Sequence, residues 1–124
     1  MHRVLVVDDV EDNVFWLQTL LETEGYEVAT ASSGWAALDL VESLHPNLVL
    51  LDILLADMIG YAVTERIRQN PNLSETRIVL ITASSVLERD EAVEAGADAF
   101  MRRPLDPDQV LAIVKDLCNQ TAER

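Results

Sequence analysis

Leu48-Val49-Leu50-Leu51-Asp52 is a run of four apolar residues closed by a carboxylate, and Val4-Leu5-Val6-Val7-Asp8-Asp9 repeats the arrangement with two acids. A strand that is apolar at every position is buried on both faces, which is the habit of parallel sheets. Two such strands ending in acids crowd three carboxylates at one sheet edge. Folding gains nothing from that repulsion, so a cation or a reaction at that edge explains it better. Asp8, Asp9 and Asp52 are therefore candidates for an acidic, metal-dependent site.

Working outward, strand-like runs fall at residues 3–7, 27–31, 48–51, 78–81 and 97–101, with helical spacing between them. Val14, Leu17, Leu20 and Leu21 form the apolar face of the first helix. Ala37, Leu38, Val41 and Leu44 form that of the second, which starts near Ser33-Gly34 and ends before His45-Pro46. Val63 and Ile67 anchor a third after Gly60, stopped by Asn70-Pro71-Asn72. Residues 86–95 make a fourth with a weak apolar stripe, expected to be the least firmly packed. Val110, Ile113, Val114 and Leu117 line the last, which opens at Asp106-Pro107 with a cap and a first-turn proline. Alternating strands and helices predict a doubly wound α/β fold with right-handed crossovers. Ligands of such folds sit outside the carboxyl ends of the strands. Asp8, Asp9, Asp52 and Thr82 are all expected just past those ends.

The 124 residues suit one domain spanning 1–124, and 49% apolar residues are ample for its core. A net charge of −13 argues against direct binding to nucleic acid or anionic lipid, which need clustered Lys and Arg. The single cysteine, Cys118, excludes an internal disulfide and fits a reducing compartment. No signal-peptide pattern follows Met1, and no apolar run reaches membrane-spanning length, so a cytoplasmic location is expected.

The ordered set of Val-Val-Asp8-Asp9, Leu-Leu-Asp52-Ile, Thr82-Ala83 and Arg103-Pro104, each at a strand's carboxyl end, resembles the response-regulator receiver domain of two-component signalling. The likeness covers essentially the whole chain. It implies a five-stranded parallel sheet of flavodoxin-like order 2-1-3-4-5 with helices on both faces. It also implies that Asp52 accepts a phosphoryl group from a histidine kinase or histidine phosphotransfer protein. Asp9 would ligate Mg2+ (or Mn2+) directly and Asp8 through water, with Asp52 and the backbone carbonyl of Leu54 completing the protein ligands. Thr82 would bond a phosphoryl oxygen, Phe100 would be the aromatic switch, and Ala83 would leave Asp52 accessible. The family's possible homodimer uses the fourth helix, fifth strand and fifth helix. Such a domain is not an enzyme beyond its own phosphorylation and dephosphorylation.

Three departures from the family pattern stand out. Arg103 replaces the usual lysine, a longer, planar and bidentate cation. Ala56 stands where the family often has a loop-stiffening proline, and Ile59 where it has an acid before Gly60. Leu54 and Ser84 occupy positions that tune access of water, and Leu54 offers an attacking water no hydrogen bond. Asp12 and Asn13 are expected to cap the first helix. Trp16, Trp35 and Tyr61 read as packing or partner surface, His2 and His45 as a terminal and a pre-proline residue, and Cys118 as a small apolar residue. Two rivals remain open: a degenerate receiver acting as a phosphorylation-independent interaction domain, and an aspartyl-phosphate-type phosphatase. Leu54 stands where such phosphatases commonly carry a second acid, which argues against the latter.

Overall fold

In the computed structural model, which describes residues 2–83 and 89–122, the strands are β1 (Arg3–Val7), β2 (Glu27–Ala31), β3 (Leu48–Asp52), β4 (Arg77–Thr82) and β5 (Ala99–Arg102). They form a parallel five-stranded sheet of order β2-β1-β3-β4-β5. The connecting helices are α1 (Glu11–Thr23), α2 (Gly34–Leu44), α3 (Gly60–Arg68), α4 (Arg89–Ala95) and α5 (Pro107–Ala122), with a short 3-10 turn at Pro71–Leu73. The fold and strand order expected from the resemblance are those observed.

Successive strand side chains point to opposite faces, so uniformly apolar strands fill two cores. Leu5, Val7, Val49, Leu51, Ile78 and Leu80 pack beneath α2, α3 and α4. Val4, Val6, Leu48, Leu50, Val79 and Ile81 pack on the other face, against Leu17 and Leu21 of α1 and Val110, Val114 and Leu117 of α5. Cys118 is buried there as a small apolar group, and burial pushes its thiol up to about 11. Among the described residues no helix is long and apolar enough to cross a membrane.

Helix ends follow local chemistry where the chemistry is local. Ser33 caps α2 by accepting from the Ala36 amide at 3.1 Å, and His45 ends it in the left-handed region at φ 47°. Asp106 accepts from the Asp108 amide at 3.1 Å, just before Pro107 opens α5.

Three boundary expectations are corrected. Asp12 and Asn13 do not cap α1: the cap residue is Val10, and both lie inside the first turn. Asp8 intervenes, its Oδ1 accepting the Val10 amide at 2.9 Å and so setting where the helix begins. β5 starts at Ala99 rather than 97, because Gly96 turns the chain at φ 103° and the Ala97 amide closes back on the Ala92 carbonyl. Asp52 and Thr82 are the last residues of their strands, not residues beyond them, since the β3–β4 and β4–β5 ladders run to those positions. Only residues 89–95 of the fourth helix are described, and it buries Ala92 and Ala95, both small side chains.

Candidate functional site

The carboxyl ends of β1 and the adjacent β3 bring Asp8, Asp9 and Asp52 together, with one carboxylate oxygen from each lying within 4.8 Å of the others. Asp8 extends the β1 ladder through its amide, which donates to the Ala31 carbonyl at 3.2 Å, and is only 1% exposed. Its carboxylate is spoken for on both sides. Oδ1 takes the Val10 amide, and Oδ2 takes the Arg103 guanidinium at 2.7 Å. Asp9 is exposed, and its Oδ2 accepts the Ala56 amide at 3.1 Å, tying the first acidic loop to the loop after β3.

Asp52 is half-buried at the end of a strand flanked on both sides. Burial, then the neighbouring Asp8 and to a lesser degree Asp9, push its carboxyl from 3.8 up to about 6; Arg103 and the Leu54 amide partly offset them. A carboxylate crowded this closely by two others suits a cation. The donors are hard oxygens of mixed exposure, the set Mg2+ takes while keeping several waters. Asp8, Asp9 and Asp52 are the groups brought together that would hold it.

Arg103 points into the site rather than outward. Its amide also donates to the Thr82 carbonyl at 2.7 Å, joining the exits of β4 and β5, and its peptide bond to Pro104 is cis. Thr82 is 1% exposed and Ala83 exposed; Ser84 lies outside the described residues. Phe100 sits on β5 opposite Leu80, half-buried against the α2–α4 core, with the Arg102 guanidinium 5.4 Å from its ring. Leu54 is 64% exposed and forms an isolated antiparallel bridge with Ile59.

The loop between β3 and α3 is braced in ways the sequence did not announce. The Gly60 amide donates to the Ile53 carbonyl at 2.6 Å, and a side chain at Gly60 would meet the Ile53 Cα at 2.8 Å and the Asp52 carbonyl at 2.9 Å. Asp57 accepts from the Gly34 and Trp35 amides. Trp35 in turn lies under the Arg66 guanidinium, whose carbon is 4.9 Å from the ring centre. Asp57 was one acid among many in the sequence, and only its placement opposite α2 distinguishes it.

The family model for the response regulator receiver domain matches residues 4–115. Response regulator PleD of Caulobacter vibrioides is 37% identical over 116 residues, 93% of this chain and 26% of its own length. The Bacillus subtilis alkaline phosphatase synthesis transcriptional regulatory protein PhoP is 36% identical over 96% of this chain and 49% of its own. The chain thus spans half or less of these curated relatives. A CheY-like response regulator receiver domain protein from Methanospirillum hungatei superposes with a TM-score of 0.92 at 30% identity, covering 99% of this chain and 98% of that one.

Proposed function

This chain belongs to the response regulator receiver domain family of two-component signalling, and from that premise we propose that it is a phosphorylation-controlled switch whose acceptor is Asp52. The observation that carries the reading is the gathering of Asp8, Asp9 and Asp52, with Arg103 reaching into the same pocket. Residues 1–124 act as one receiver domain, located in the cytoplasm.

The donor is a phosphohistidine on a histidine kinase or phosphotransfer protein. An Asp52 carboxylate oxygen attacks phosphorus, the bond from phosphorus to the imidazole nitrogen breaks, and the nitrogen keeps the electron pair. The product is an acyl phosphate on Asp52. Asp8, Asp9, Asp52 and the Leu54 carbonyl would hold Mg2+ (or Mn2+), which would supply charge neutralisation to the phosphoryl oxygens. The Thr82 hydroxyl bonds one of those oxygens, and Arg103, swung from Asp8, supplies a protein cation to the phosphoryl group. Phe100 turns inward as Thr82 engages the phosphoryl group. Ala83 leaves room at the acceptor, while Leu54 offers attacking water no hydrogen bond, so the phosphorylated state is long-lived. The domain performs no chemistry beyond gaining and losing this group.

Acetyl phosphate with Mg2+ should add the mass of one phosphoryl group, and Asp52→Asn should abolish the addition. An Asp52→Asn protein labelled at the wild-type rate places the acceptor elsewhere. A wild type that gains no mass favours a phosphorylation-independent interaction domain.

A further inference from the structure

The loop after β3 holds both the Leu54 carbonyl and the Ala56 amide that binds Asp9, so its geometry bears directly on the acidic pocket. It lacks a proline. One of its own side chains ties it to another element. Asp57 Oδ1 accepts the Gly34 amide at 2.9 Å and Oδ2 the Trp35 amide at 3.0 Å, the first two amides of α2. These donors have no partner within their own helix, so one carboxylate satisfies two of them at once.

Three further contacts show that the fit is close. A side chain at Gly34 would come within 2.4 Å of Met58 Cγ, so a glycine there lets the loop lie directly on the start of α2. On the far side, the Leu54–Ile59 bridge and the Gly60 amide to Ile53 close the loop on itself. The segment is thus fixed at its base by Gly60, at its inner edge by Asp9, and at its outer edge by Asp57. The Asp57 carboxyl is held below its ordinary range by the two helix amides, so the clamp is present throughout the neutral range.

We infer that Asp57 is a positioning residue: by anchoring the loop to the N-terminus of α2, it holds the Leu54 carbonyl and the Ala56 amide in the geometry the metal-dependent reaction uses. The inference rests on the proposed Mg2+-dependent reading of the site. Asp57 touches neither the metal nor the phosphoryl group, and acts through the backbone on either side of it. Losing a group that orients ligands from behind weakens metal affinity by about ten- to a hundredfold. With the loop still braced by Gly60 and Asp9, the expected loss is at the lower end of that range.

The test compares Asp57→Ala with Ser33→Ala, which removes the other cap of the same helix, a hydroxyl bonded to the Ala36 amide within α2. Mg2+ is titrated into each unphosphorylated protein and followed by amide chemical shifts. The titrations are run in roughly 1 M KCl, where charges more than ~3 Å apart are largely screened. Asp57→Ala should bind Mg2+ about tenfold more weakly while Ser33→Ala matches wild type. Hydrogen exchange at the Ala56 and Gly60 amides should quicken in Asp57→Ala alone. Wild-type Mg2+ affinity in Asp57→Ala overturns the positioning role, as does an equal loss in Ser33→Ala, which would mean α2 fraying. A wild type that does not respond to Mg2+ instead overturns the functional reading of the site, and this role with it.

Discussion

Replacing Asp52 by asparagine should make the metal-free protein more stable, although it removes the acceptor. Asp52 titrates at about 6 in the fold against 3.8 ordinarily, so the folded state binds a proton more tightly than the unfolded chain. Its contribution to stability is therefore complete below pH 3.8 and is lost as pH rises through about 6. The full difference between those values is worth about 3 kcal/mol. Asp52 is only half-buried, and solvent screening reduces this to about 1–1.5 kcal/mol. Asparagine keeps the shape and has no charge to lose. At an unfolding entropy of about 2.1 cal/mol/K per residue, the gain corresponds to roughly 4–6 °C in Tm for 124 residues. Thermal melts in EDTA should show that gap at pH 7.5 and roughly half of it at pH 5. Saturating Mg2+ should narrow or reverse the order, since it stabilises only the protein that binds it well. An Asp52→Asn protein no more stable than wild type at pH 7.5 in EDTA refutes the reasoning. So does a gap that ignores pH.

Arg103→Ala leaves the buried Asp8 carboxylate without its cation, and should cost about 1–3 kcal/mol in urea unfolding with EDTA, with Mg2+ recovering most of the loss. Arg103→Lys should keep most of that stability and reports, through the spectral change on phosphorylation, whether arginine or lysine couples the phosphoryl group better to Thr82. Gly60→Ala should cost about 1–3 kcal/mol, because its methyl meets backbone of Ile53 and Asp52 rather than a yielding side chain; unfolding midpoints measure it. Leu54→Asn gives an attacking water a hydrogen-bond partner beside the acceptor, and radiolabel decay from the phosphorylated protein should be faster than in wild type.

Much of the architecture was legible in the chain because its signals are short-range. Val4–Val7 and Leu48–Leu51 are apolar at every position, and that alone demands a strand covered on both faces. Ser33 and Asp106-Pro107 start helices through bonds a few residues long, and the chain reads correctly there. The start of α1 was misread for the opposite reason. Asp12 and Asn13 have the right chemistry for a cap, but the Asp8 carboxylate, whose place is set by the β1–β2 ladder, takes the Val10 amide first. The start of β5 likewise depends on where Gly96 lets the chain turn after α4.

The sequence by itself determined that acids would end the first and third strands of a parallel sheet, and hence that they would face one edge together. Periodicity and strand direction suffice for that, since each is carried by neighbouring residues. Only the tertiary structure decided that Arg103 turns inward to Asp8, 95 positions earlier in the chain, and that Asp57 clamps α2 across 22 and 23 positions. Those partnerships join loops from different crossovers. Charge and size in the local sequence are equally compatible with solvent, and only the packing of the sheet and helices brings one carboxylate within reach of one guanidinium or two free amides.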